Sequence, residues 1–401
     1  MNQRAPDQLV TRPFVTLVVA GLAFFTAGGA VLPVASQFAE GPLDATSTGV
    51  GIAIGAFAIG SLLLRPVVGW GSDRFGRRPL LVFGALLSTA ALALHLAVDS
   101  LSLFVVARAL LGAAEAFFFV AMLSAASDLA PEGRSGEAFN LASLALYIGL
   151  ALGPPIGEAV LNTSGFDAVW IVAGALTIVA AGLALLVPET APAVLAAAAG
   201  DVRKVRVRLF HPAGLFPGVL VLLGLWGMAG FFAFVPLYAK EIGMSGAAAP
   251  LAVYAVLVIA LRLAFAKLPD QVGAARLSGF ALVVATIGLL ILGLVRSPLG
   301  LLAGSAVFAL GMAFVMPALL TLAVSRVDET ERGAVVGTTS VFVDLSFGLS
   351  PAFLGAVAGV AGYDGAFLAS AAVVGFGALL LAARRQSLAR PLTAGAATLD
   401  G

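Results

Sequence analysis

Glu115 stands in an otherwise apolar run, 102–127, that carries one other charge, Arg108. Arg108, Gly112 and Glu115 are spaced so that one helix face would hold all three. An ionisable group inside an apolar span is costly unless it is paired or meets water. Burial and a neighbouring arginine pull a carboxyl's proton affinity in opposite directions. Such a group can load a proton on one side of a membrane and release it on the other. Two readings of this face stand: Glu115 carries a proton and Arg108 tunes it, or Arg108 snorkels outward and Glu115 is a structural ion-pair partner. Asp344 is the second candidate carrier; it lies roughly 15 Å into its run at 1.5 Å per residue. The alternative for Asp344 is a pairing with polar neighbours that stabilises its helix. Phe24, Phe25, Trp226, Phe231 and Phe232 have the chemistry to line a cavity for an apolar or cationic small molecule. They are equally suited to packing or to facing lipid. The chain has no cysteine, and its two histidines, His95 and His211, fall near expected loop edges. No metal centre, cofactor or catalytic constellation is therefore expected, and the chain does not read as an enzyme.

Composition says what surrounds these residues. Hydrophobic residues make up 61% and charged residues 11%, with mean hydropathy +1.08. A water-facing surface needs roughly twice that charge, so the main solvent is the lipid bilayer. A net charge of +1 gives no reason to expect nucleic acid. Twelve runs of about 20 mostly apolar residues can be drawn. They lie near 13–38, 48–68, 79–98, 102–127, 135–161, 167–187, 213–239, 246–267, 277–295, 298–324, 334–360 and 364–383. The runs must be helices, because a lipid-exposed segment has to satisfy its own backbone hydrogen bonds. The first is too long for the apolar core of a cleavable signal. With the N-terminus inside, the inner segments collect nearly all the Lys and Arg, including Arg203, Lys204, Arg206 and Arg208 of the central linker. The outer loops hold Lys240 and Arg296, and Arg65, Arg108 and Arg262 fall within spans. This asymmetry places both termini and the linker in the cytoplasm.

The halves repeat. Arg65, Asp73 and Gly76 recur as Arg262, Asp270 and Gly273, 197 residues on; the same offset relates Pro154 to Pro351, Gly165 to Gly362 and Asp167 to Asp364. Six helices per half then insert in the same direction, with a pseudo-two-fold axis along the membrane normal. The expected fold is all-α and integral to the membrane: twelve transmembrane helices in two pseudo-symmetric six-helix bundles. The bundles would span 1–187 and 213–385, with a linker at 188–212 and a disordered tail at 386–401.

Two stretches carry a family signature. Gly69-Trp70-Gly71-Ser72-Asp73-Arg74-Phe75-Gly76-Arg77-Arg78 is physically a tight charged turn. Its glycines permit unusual backbone angles, and its acid suits a helix N-terminus. It resembles the G-x-x-x-D-R-x-G-R-[RK] loop of the major facilitator superfamily, with Gly71 where Leu is frequent. The second, Gly149-x-x-x-Gly153-Pro154-Pro155-Ile156-Gly157, makes a flat packing face on a bent helix. It resembles the helix-5 pattern of the drug:proton antiporter branch and departs at the last position, where Glu158 replaces Gly. Arg108-x-x-x-Gly112 is similar to the superfamily's helix-4 motif. The resemblance covers about residues 10–385. It implies a conformational latch at Gly69, Asp73, Arg74, Gly76 and Arg77, with Asp128 as partner of Arg77. It implies proton coupling at Arg108, and export marked by Gly149, Gly153, Pro154 and Gly157. The implied function is proton-coupled efflux of a small lipophilic compound by alternating access, performed by a monomer in the cell's inner membrane, with protons as co-substrate. Uptake of a nutrient on the same fold is the alternative. A non-transporting receptor or scaffold would leave the charged loop and the buried charges unexplained.

Overall fold

The computed structural model describes residues 8–131, 134–191, 211–265, 268, 272–325, 327 and 332–388. Arg203, Lys204, Arg206 and Arg208 of the linker, Asp270 of the second repeat, and the tail from residue 389 lie outside the described residues, as does the side chain of Asp73.

Among the described residues ten α-helices follow one another: α1 (Arg12–Glu40), α2 (Ser47–Phe75), α3 (Arg77–His95), α4 (Leu101–Asp128), α5 (Ser135–Leu186), α6 (Leu215–Glu241), α7 (Ala248–Ala264), α8 (Ala274–Leu294), α9 (Pro298–Val324) and α10 (Arg332–Leu388). No strand occurs among the described residues. Hydroxyl caps start three of them: Thr11 for α1, Thr46 for α2 and Ser297 for α9 each accept a hydrogen bond from the backbone N–H three residues on. Proline in the first turn helps to start α1 and α9, where its missing N–H costs nothing. Among the described residues nine helical stretches are long and apolar enough to cross a membrane, and Ala248–Ala264 is a shorter apolar helix.

The two longest helices are each broken by a glycine. Gly165 in α5 has φ 83° and Gly362 in α10 has φ 74°. Gly76, which separates α2 from α3, has φ 104°, and Gly273, which precedes α8, has φ 89°. These left-handed positions strongly disfavour a side chain, and they fall in two pairs 197 residues apart. α10 runs as helix to Leu388, into the segment expected as tail.

The chain divides into two compact units, residues 1–205 with 246–252, and residues 206–245 with 253–401. In the first, α1 packs along α5 and α2 along α4; in the second, α6 packs along α10 and α8 along α9. Large apolar side chains cover the outer faces, Val360 at 92% exposure and Leu299 at 76% among them. So much exposed apolar surface suits lipid and not water.

Candidate functional site

The polar centre of the first unit is where α2 crosses α4. Gly60 faces the carbonyl of Ala109, and Gly112 faces the carbonyl of Phe57, with no room for a methyl group at either glycine. That close approach brings two side-chain ladders together. On α2, Phe57, Ser61 and Arg65 are one turn apart; on α4, Arg108, Gly112, Glu115 and Phe119 share a face. Ser61 Oγ donates to Glu115 Oε2 at 2.7 Å, and an Arg65 guanidinium nitrogen lies 3.6 Å from the same oxygen. The Arg65 guanidinium also sits 5.1 Å from the centre of the Phe119 ring. The side chains of Glu115 and Arg65 are 14% and 17% exposed, so the pair is shielded but not sealed.

Arg108, expected to tune Glu115, lies on the same face of α4. Arg108 is 2% exposed, and its guanidinium lies 5.2 Å from the Phe57 ring, two turns from Glu115. Sharing a face does not bring side chains seven apart together, because about 10 Å of helix axis separates them. His95, expected near a loop edge, is buried in the last turn of α3, with Nδ1 2.7 Å from the Ala91 carbonyl and its ring against Phe104 and Trp170.

The charged turn between α2 and α3 builds a second cluster. Arg77 is buried; its Nε donates to Asp128 Oδ2 at 3.1 Å and a terminal nitrogen donates to Ser72 Oγ at 2.9 Å. Thr190 Oγ1 donates to the same Asp128 oxygen. Glu189 accepts from the backbone N–H groups of Arg77 and Arg78 at 2.8 and 3.2 Å, which caps the open start of α3 with an anion. Gly76 lies against that carboxylate with no space for a side chain. Arg74 is exposed beside Phe75, and Gly69 has open space around it. Glu189 and Thr190 fall in the expected linker just past the sixth run, and their residue types alone do not mark them as part of a site.

The small-residue stripe of α5 packs against α1. A methyl group on Gly149 would lie 2.6 Å from Phe25 Cβ, and one on Gly153 would lie 2.5 Å from the Gly29 backbone. Gly157 abuts the Ala30 carbonyl with still less room. Pro154 is buried in the same seam. One residue further, Glu158 is 0% exposed and accepts from Gln37 Nε2 at 2.5 Å.

In the second unit, Asp344 is buried on α10. Around it α10 is tied to the stretch from His211 into α6 by hydroxyls: Thr338 accepts from the His211 N–H, Ser346 donates to the Leu222 carbonyl and Ser350 to that of Trp226. Arg262 Nε donates to the Ala313 carbonyl at 3.2 Å. The aromatics expected to line a cavity are packed ring on ring. Phe24 stacks on Phe118 at 4.1 Å, Phe25 meets Phe118 and Phe119, and Phe231 and Phe232 close around Tyr254. Trp226 lies against Phe353. The four phenylalanines are buried, and each finds a ring partner on a neighbouring helix. No group of acids and histidines able to hold a metal occurs among the described residues.

The sequence matches the Major Facilitator Superfamily over residues 14–351 and 251–398. An MFS-type transporter of Salmonella typhimurium is 29% identical over 343 residues, covering 83% of this chain and 86% of that protein. One from Burkholderia mallei is 30% identical over 402 residues, covering 97% and 94%. Among solved structures, a bacterial homolog of the human lysosomal transporter Spinster superposes with a TM-score of 0.78 at 15% identity, covering 96% of this chain and 98% of that one. That likeness is one of fold. The chain belongs to the Major Facilitator Superfamily, as a multi-pass membrane transporter of a small-molecule substrate.

Proposed function

We propose that the protein is a proton-coupled exporter of small lipophilic compounds working by alternating access, with Glu115 as the leading proton carrier and Asp344 as the second acid. The observation that carries this reading is the Ser61–Glu115–Arg65 constellation, an acid deep in an apolar helix yet held by polar partners and partly open. A carboxyl in that setting can exchange a proton as hydration and the distance to its cation change. Arg108 remains a charged residue of the same helix face. The glycine stripe at Gly149, Gly153, Pro154 and Gly157 supports export through its likeness to the antiporter pattern. The Arg77–Asp128 pair supports a latch at Gly69, Asp73, Arg74, Gly76 and Arg77. The breaks of α5 and α10 at Gly165 and Gly362 support a reading of twelve spans in two bundles of six. The bundles then take residues 1–187 and 213–385. The Lys/Arg asymmetry favours cytoplasmic termini in the inner membrane, and the working unit is one chain. Uptake on the same fold is the second reading, favoured by Glu158 where the antiporter pattern has glycine.

The test is transport by purified protein in liposomes with an imposed proton gradient, using ethidium and a panel of lipophilic cations and neutral compounds. Movement against the direction of proton flow supports export, and movement with it supports uptake. Glu115→Gln is expected to abolish gradient-driven accumulation while leaving compound binding. Unchanged accumulation in that variant would remove Glu115 from coupling.

A further inference from the structure

We infer that Arg65, not Arg108, is the counter-charge that positions Glu115 and sets its proton affinity, with Ser61 fixing the carboxylate's orientation. The inference rests on the reading of Glu115 as a proton-exchanging acid and assigns its partner. The two crossing helices meet level by level. Phe57 meets Arg108 and the backbone at Gly112; one turn on, Ser61 meets Glu115; one turn further, Arg65 reaches back to Glu115 and lies over Phe119. Gly60 and Gly112 lock this register, since a shift by one residue would drive a side chain into a backbone carbonyl. Arg108 is therefore held one level away by its own aromatic partner, and Arg65 is the cation at the carboxylate.

Among the described side chains of the helices that pack against α4, Arg77, His95 and Glu158 are engaged elsewhere. Arg77 binds Asp128, His95 the Ala91 carbonyl and Glu158 the Gln37 amide. α1 carries no charged residue between Arg12 and Glu40.

The internal repeat sharpens the assignment. At the offset of 197, Arg65 corresponds to Arg262, but Ser61, Glu115 and Phe119 correspond to Val258, Met312 and Met316. The arginine is repeated and the acid is not. In the second unit Arg262 donates to the backbone carbonyl of Ala313, next to the residue that replaces the acid. The place of Glu115 is thus taken by an uncharged residue in the second unit, and Arg262 is an internal control.

The experiment follows the proton itself and needs no substrate. Infrared difference spectra of the purified full-length protein are recorded across a pH series, and the carboxyl carbonyl band lost in Glu115→Gln is assigned to Glu115. Arg65→Gln is expected to displace the midpoint of that band by about one pH unit or more. Arg65→Lys keeps the midpoint close to that of the parent, while Arg108→Gln and Arg262→Gln leave it in place. An unmoved midpoint in Arg65→Gln, an equal displacement in Arg108→Gln, or a Glu115 band that does not titrate overturns the inference. Should Arg65→Gln fail to fold, the double variant Arg65→Gln/Glu115→Gln is expected to recover, because removing both partners leaves no uncompensated charge. No recovery also overturns it. The outcomes separate from those of the transport assay. A displaced midpoint with proton-driven transport intact in Glu115→Gln keeps the pairing and discards the coupling role.

Discussion

The α1–α5 seam of the first unit and the α6–α10 seam of the second occupy equivalent places in the repeat and are held together by different chemistry. At the offset of 197, Gly149 and Gly153 correspond to Ser346 and Ser350, and their partners Phe25 and Gly29 correspond to Leu222 and Trp226. The contacting pairs are the same in both units. In the first, glycines let backbones touch. In the second, each serine hydroxyl donates to the facing helix's carbonyl, at 3.0 and 2.7 Å. The notch has also changed sides. Gly157 on α5 receives the Ala30 carbonyl, whereas its counterpart Leu354 fills the space over Gly230 on α6. One packing geometry is therefore reached by removing side chains from one helix or by adding donors to it. The first solution tolerates no added atom; the second loses only a hydrogen bond when altered.

That contrast sets the order of expected effects. Gly153→Ala should be the most damaging, since a methyl group 2.5 Å from the Gly29 backbone must push α1 and α5 apart. The expected loss is about 2 kcal/mol or more, read as a fall in melting temperature and in monodisperse yield by fluorescence-detected size exclusion. Gly153→Ser, which carries the second unit's residue into the first, should be no better. Ser350→Ala should cost about 1 kcal/mol or less, because the Cβ is already accommodated and only the bond to Trp226 is lost. Equal costs for Gly153→Ala and Ser350→Ala would dissolve the distinction between the seams.

The smallest effect calibrates the others. Glu137 is exposed on α5, and the hydrogen bonds from Arg134, at 2.8 and 3.0 Å, hold its carboxyl below the ordinary value of 4.5. A depressed folded value contributes stability above the unfolded value, and that contribution is lost as pH falls through the folded one. Glu137→Gln should leave the melting temperature at neutral pH almost unchanged, since exposed pairs are screened. Any small difference from the parent should vanish on acidification below about 4.5. A drop as large as that of Ser350→Ala would show that the exposed start of α5 contributes as much as the buried α6–α10 seam.

The site was legible in part. Glu115, Arg108 and Asp344 announce themselves because a charge in an apolar run is conspicuous, and Arg65 was visible in the same way. The pairing of Arg77 with Asp128 came from the resemblance. Ser61 and Gln37 were not legible, since one hydroxyl or amide in an apolar helix carries no signal until a partner from another helix arrives beside it. Glu189 was hidden by its place after the last apolar residues of α5.

The sequence by itself determined the helices, the lipid solvent, the family and the 197-residue repeat, including the glycines that recur at 76 and 273 and at 165 and 362. These are local properties: hydropathy over about 20 residues fixes a span, and a glycine fixes a break. Only the tertiary structure decided that Glu115 meets Arg65 and Ser61, that Arg108 turns to Phe57, and that the phenylalanines close on one another. Periodicity tells which face of its own helix a residue occupies. It does not tell the level at which a neighbouring helix crosses, because that is set where backbones come close enough to exclude a side chain, at Gly60 against Ala109 and Gly112 against Phe57.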